Sequence, residues 1–169
     1  MEQELQLVER ARAGDTEAFA MLYEQVYQDM YRFALYILKD HHDAQDVVSD
    51  TVADAFAAMG KLRRSEAFRG WIFKILTNKC KRKLKEYVDR PGELTEDMPE
   101  QTGRRGMDEH AAVRSLFFSL AEEERIIIAM HLFGGYSSRE MASMLHMNEN
   151  TIRSKESRAL KKMAQSYWD

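Results

Sequence analysis

Helical periodicity runs through this chain with one break. Its only two prolines in 169 residues, Pro91 and Pro99, both fall between Asp89 and Asp108. Proline removes a backbone donor and clashes with the preceding turn, so the proline-free stretches on either side permit long helices. Asp15 is placed to cap a helix running to about Lys39. In it Phe19, Leu22, Tyr23, Val26, Met30, Phe33, Ala34 and Ile37 recur every three or four positions. After Asp40 the period resumes at Ala44, Val47, Val48, Thr51, Val52, Ala55, Phe56 and Met59. Gly60 is placed to end that helix. A polar loop, Lys61 to Glu66, then leads into a helix from about Ala67 to Tyr87, with Phe68, Trp71, Ile72, Ile75, Leu76 and Cys80 expected toward the core.

The segment around the prolines also holds Gly92, Gly103, Gly106 and many charges. It has little to bury and reads as a flexible linker. From residue 109 onward the helical pattern returns, over a length that is small for an independent core. The expected fold is therefore all-α: two small helical domains, 1–88 and 109–169, joined by an acidic linker, 89–108. The second domain carries a helix-turn-helix.

Charge falls in blocks along this frame. Residues 1–60 hold 4 basic and 12 acidic groups, whereas residues 61–90 hold 11 basic and 3 acidic ones. Residues 91–124 are acidic again and residues 125–169 basic, within a total of −3. A cationic segment with Phe, Trp and Ile threaded through it, on an otherwise acidic chain, points to a polyanion partner such as nucleic acid. Lys and Arg neutralise phosphate, and exposed rings stack on unpaired bases.

Other classes are disfavoured. No apolar run approaches the roughly 18–20 residues that span a bilayer, and the N-terminus, MEQELQLVER, lacks a signal-type apolar core. A single cysteine, Cys80, excludes an internal disulfide. These points favour the cytoplasm and argue against direct membrane insertion. No Ser–His–Asp set, carboxylate pair, Gly-rich phosphate loop or metal site can be assembled. The chain is thus read as having no catalytic residue, no metal and no cofactor, as not an enzyme, and as taking no small-molecule substrate. His41 and His42 lack further ligands, Cys80 reads as a buried apolar residue, and His131, inside an apolar run, as a satisfied core histidine.

Near the C-terminus, YSSREMASMLHMNENTIRSKESRALKKM (136–163) carries a second signal. Ser137 with Glu140 makes a capping box, opening a short helix with Met141, Ala142 and Leu145 inward. His146 and Met147 form a turn, and Asn148 caps a second helix with Ile152, Ala159, Leu160 and Met163 inward. Two short helices joined this way form a helix-turn-helix, whose second helix enters the major groove. Its outward residues, Asn150, Thr151, Arg153, Ser154, Lys155, Ser157 and Arg158, suit base edges and phosphates, and Ser138 and Arg139 open the helix before it.

Taken in order, ARAGDTEAFAMLY (11–23), DAQDVVSDTVADAF (43–56), FRGWIFKILTNKCKRKLK (68–85) and the segment 120–163 resemble a bacterial RNA polymerase sigma factor of the extracytoplasmic-function (ECF) class, in the sigma-70 family. The resemblance covers nearly the whole chain. It implies a subunit that binds core RNA polymerase, directs it to promoters and helps open the DNA. Polymerase binding, to the beta-prime clamp helices and beta flap, would use Asp43, Asp46, Ser49, Asp50 and Asp54. The four acids are read as a face opposite the apolar stripe. Minus-ten recognition and melting would use Lys61, Arg63, Arg64, Arg69, Lys74, Asn78, Lys81, Arg82 and Lys85. On the basic helix, Lys74, Asn78, Lys81, Arg82 and Lys85 are read as a face away from Trp71 and Ile75, and the loop Lys61–Glu66 as the place that captures a flipped base. Minus-thirty-five recognition would use the helix-turn-helix residues named above.

The resemblance also implies an anti-sigma partner, able to hold the chain at a membrane. It threads the linker, with Glu93, Glu96, Asp97 and Glu100, toward the RNA exit path. This chain has Ser49 where the family often has Gln, Ala121 where Pro is usual, and Asn150, Lys155 and Glu156 where Gly, Arg and Leu are usual. Glu156 would set an acid close to DNA unless it faces protein. The competing reading is a helix-turn-helix regulator that is not a polymerase subunit.

Overall fold

The computed structural model describes residues 2–89 and 107–168, with side chains of the second segment described from 111 to 166. The expected linker core, including Glu93, Glu96, Asp97 and Glu100, lies outside these residues. Every regular element among them is helical, and they fall into two compact units.

The N-terminal unit contains α1 (Glu2–Arg12), α2 (Thr16–Leu38), α3 (His41–Ala58) and α4 (Phe68–Asp89). Aspartates start two of these helices as expected. Asp15 accepts from the Ala18 amide at 3.0 Å, and Asp40 accepts from the Asp43 amide at 2.8 Å. Lys39, at φ 58°, is the left-handed residue that separates α2 from α3. Gly60 does not play that part for α3, which runs directly into a 3-10 turn, Met59–Lys61, without a left-handed residue. A second 3-10 turn, Ser65–Ala67, precedes α4.

Helices α2, α3 and α4 pack on one another, and α1 packs against α2 and both turns. Fully buried Leu22, Met30, Phe33, Ile37, Phe68, Ile72, Phe73 and Leu76 build the centre. Phe33 meets Phe73 edge to face at 5.6 Å. Two buried threonines, Thr51 and Thr77, donate to the carbonyls of Val47 and Phe73 one turn back, so each hydroxyl is satisfied inside its own helix. Cys80 is fully buried, and burial raises its thiol pKa. Phe56 departs from the expected stripe: it is 48% exposed, with its ring edge against Phe19.

The C-terminal unit contains α5 (Met107–Ser119), α6 (Glu122–Leu132), α7 (Ser138–Leu145) and α8 (Glu149–Trp168). α6 is its central element, because Ile126 to Met130 are all buried. A helix apolar on every side must be surrounded, and α7 and α8 pack against it while α5 packs on α8. The capping box forms: the Glu140 carboxylate accepts from the Ser137 amide at 2.8 Å, and Ser137 Oγ accepts from the Glu140 amide at 3.3 Å. His146, at φ 54°, ends α7, and Asn148 Oδ1 accepts from the Asn150 amide at 2.8 Å as α8 begins. Two inward expectations fail here. His131 sits at the exposed end of α6, and Leu160 is 44% exposed because Ile152 and Ala159 already fill the face of α8 that meets the core.

Candidate nucleic-acid and polymerase interfaces

The acids of α3 do two different things. Asp43 accepts a hydrogen bond from the Tyr87 hydroxyl and lies 3.4 Å from Lys83 Nζ. Asp54 lies 2.7 Å from Lys79 Nζ. Both therefore face α4, on the flank of the apolar stripe and not opposite it. Burial, together with the hydrogen bond to Asp43, raises the pKa of the Tyr87 phenol above its ordinary value and keeps it a donor. Asp46, Ser49 and Asp50 point to solvent, and the two acids have no ion-pair partner among the described residues. The four-acid face thus divides: Asp46 and Asp50 are exposed, Asp43 is half-buried in its clasp with α4, and Asp54 pairs with Lys79 while its side chain stays 62% exposed.

α4 divides the same way. Lys79 and Lys83 reach back to α3, whereas Lys74, Asn78, Arg82 and Lys85 are exposed and Lys81 is half-buried. Trp71 corrects the expectation that this face lies away from it. It precedes Lys74 by three residues and Asn78 by seven, so it heads the same stripe, and it is half-buried, as is Ile75. The core side of α4 is instead completed by Phe73 and Thr77, which periodicity around Trp71 does not pick out.

In the loop before α4, Lys61, Arg63 and Arg64 are exposed, while Leu62 is buried. Arg69 is partly used up inside the fold: its guanidinium lies 2.7 Å from Asp29 and stacks over the Phe73 ring at 5.0 Å.

On the helix-turn-helix, Asn150, Thr151, Arg153, Ser154, Ser157 and Arg158 are exposed along α8, with Arg139 exposed and Ser138 half-buried on α7. Arg153 reaches Glu149 at 2.5 Å, and Arg158 Nε donates to the Ser154 carbonyl at 3.3 Å. Lys155 does not join this outward set. Only 25% of its side chain is exposed, and it pairs with Glu123 of α6 at 2.7 Å. Glu156 also turns inward, 3.2 Å from His131 Nδ1. Lys162 bonds both oxygens of Glu124 at 2.9 Å. Three polar pairs thus tie α8 to α6, and the acid at risk of lying beside DNA faces protein. The signal for this clasp is the run Glu122–Glu124, which reads on its own as an ordinary acidic helix start.

The two units that carry these surfaces each match a known family model. The family model described as Sigma-70 region 2 matches residues 22–88, and that described as Sigma-70, region 4 matches residues 110–163. The ECF RNA polymerase sigma factor SigM of Mycobacterium tuberculosis is 29% identical over 153 residues, covering 90% of this chain and 78% of SigM. The RNA polymerase sigma-H factor of Pseudomonas aeruginosa is 29% identical over 174 residues, covering 94% and 90%. Among solved structures, CnrH in complex with the cytosolic domain of CnrY gives a TM-score of 0.66 at 25% identity, over 96% of both chains. The sigma factor RpoE in complex with the anti-sigma factor NepR from Bartonella quintana gives 0.67 at 23% identity, over 90% of this chain and 98% of that one, a likeness of fold.

The chain belongs to the sigma-70 family, in its ECF class. Its function is that of a promoter-specificity subunit of RNA polymerase in transcription initiation.

Proposed function

We propose a division of that task between the two units. Residues 1–88 bind core polymerase and read and melt the minus-ten element, residues 109–169 read the minus-thirty-five element, and residues 89–108 connect them. The observation that carries this reading is the two-sidedness of α4. Lys79 and Lys83 turn back to neutralise acids of α3, while Lys74, Asn78, Arg82 and Lys85 stay outward. Cations left over after the internal pairing are what a phosphate backbone would engage, and Asn78 offers a donor and an acceptor to an exposed base.

Polymerase docking falls to Asp46, Ser49 and Asp50, whose charge suits steering onto a basic partner surface such as the beta-prime clamp helices. Asp43 and Asp54 support that helix from behind. In the C-terminal unit, Asn150, Thr151, Arg153, Ser154, Ser157 and Arg158 form the reading face, and this unit also meets the beta flap. Lys155 positions the helix. The chain performs no catalysis: DNA opening draws on the energy of binding.

CnrH and RpoE were each solved in complex with a second protein, and the RpoE partner is an anti-sigma factor. An anti-sigma partner covering the exposed centre of α3 is accordingly part of the proposal. No described helix is long and apolar enough to cross a membrane, so any membrane attachment would come through that partner, with the chain itself in the cytoplasm.

The test is transcription in vitro with core polymerase lacking any sigma subunit, followed by sequencing of the transcripts. Promoter-dependent starts are expected only when the chain is added. Duplex binding without polymerase, and no starts with it, would support a free-standing regulator instead.

A further inference from the structure

Helix α1 lies outside both matched segments, which begin at residues 22 and 110. It nevertheless touches the loop before α4 at two places. Gly60 lies against the C-terminal end of α1, where a Cβ on it would sit 3.9 Å from the Arg12 carbonyl oxygen. Five residues on, Ser65 Oγ donates a hydrogen bond to Glu9 Oε1. The Glu9 carboxylate is itself oriented by Arg12, whose Nη1 donates to both its oxygens at 3.0 and 3.1 Å.

The loop is anchored at either end by side chains sunk in the core, Leu62 at 5% and Phe68 at 2% exposure. Between them Arg63, Arg64 and Glu66 are exposed. The bond to Glu9 therefore adds a third anchor at the middle of a short cationic arch. A loop held at three points has little freedom left to lose when something binds to it.

We infer that Glu9 is a positioning residue for promoter opening: by holding Ser65 it sets the arch Arg63–Ala67 in the shape that receives an unstacked base. The inference rests on the reading of this loop as the capture site. Its physical basis is that a receiving site must recover the stacking lost when a base leaves the helix. An arch ordered during folding does not pay its ordering entropy at that moment, whereas a loose one does.

The experiment uses holoenzyme made from core polymerase and the full chain. The promoter carries a fluorescent purine analogue, which brightens on unstacking, at successive minus-ten positions of the non-template strand. One position is expected to brighten with the wild-type chain. Glu9→Ala and Ser65→Ala should each slow that rise about fivefold and narrow the difference between matched and mismatched bases there. Glu9→Gln, whose amide oxygen still accepts from Ser65, should keep most of both. Affinity for core polymerase, measured by competition, should be unchanged in all three.

Wild-type kinetics and base preference in Glu9→Ala would overturn the inference. So would a loss of polymerase affinity matching the loss of opening, since α1 would then be acting only on the fold. If no position brightens even with the wild-type chain, the capture reading of the loop fails first, and the role of Glu9 falls with it.

Discussion

Glu124 is 6% exposed, yet its carboxylate is fully engaged: Lys162 bonds both oxygens at 2.9 Å and the Ala121 amide approaches one at 3.4 Å. The hydrogen bonds from Lys162 lower the Glu124 pKa below its ordinary value, against the opposing effect of burial. A carboxyl lowered on folding stabilises the fold above its unfolded pKa. That contribution is lost as pH falls through the folded value. Denaturant unfolding followed from neutral pH to below about pH 4 should therefore show a loss of stability that Glu124→Gln removes in part. The neighbouring pair, Lys155 with Glu123, supports a second expectation. If Lys155 positions α8, then Lys155→Ala and Glu123→Ala should weaken upstream-element binding to a similar degree, by a few tenths to about 1 kcal/mol, without changing base preference. Gel-shift or anisotropy titrations on permuted sites check this. A shift in preference confined to Lys155→Ala would make it a reader. The sequence does separate Lys155 from Arg153 by spacing, since Lys155 stands three residues after Ile152 and four before Ala159 on the inward stripe and Arg153 does not. Its partner, Glu123 on another helix, is what the sequence leaves out.

At the scale of elements, each helix start expected at Asp15, Asp40, Ser137 and Asn148 is present, because capping depends on residues two or three positions apart. Faces are legible less evenly. On α3 and α8 the expected stripes hold at Ala44, Val47, Val48, Ile152 and Ala159 and fail at Phe56 and Leu160. Those two lie at stripe edges, where the reach of the neighbouring helix decides what is covered. α4 shows the opposite error. Its apolar ring sends Trp71 to the core in the sequence reading, although its three- and seven-residue spacing to Lys74 and Asn78 places it on their stripe, while Phe73 and Thr77 are buried. A large ring draws an apolar assignment even where it borders a polar face. The exposed cations of α4 yield the expectation at this scale. Lys74→Ala and Arg82→Ala together should weaken open-complex formation and flatten its dependence on salt, by about 0.7–0.9 in the log–log slope for each phosphate no longer neutralised. Rates measured across a salt series decide it, and an unchanged slope would count against any role of these cations at the DNA backbone.

The whole molecule adds order and connection. The two compact units each carry one of the two surfaces proposed for promoter DNA, and the chain between the matched segments holds both prolines with Glu93, Glu96, Asp97 and Glu100. If those acids occupy the path of nascent RNA, deleting residues 93–100 should change the ratio of abortive to full-length transcripts. An unchanged ratio would make the segment a plain tether. Sequence by itself determined the helical class, the helix starts, the separation into two parts and the family, because these follow from spacing, capping and the order of motifs along the chain. The tertiary structure alone decided which charges remain available to a partner. Whether Asp43, Asp54, Lys79, Lys83, Arg69, Lys155 and Glu156 meet each other, a core residue or solvent depends on helices brought together from distant positions, and a charge satisfied inside the fold is no longer free to recognise anything outside it.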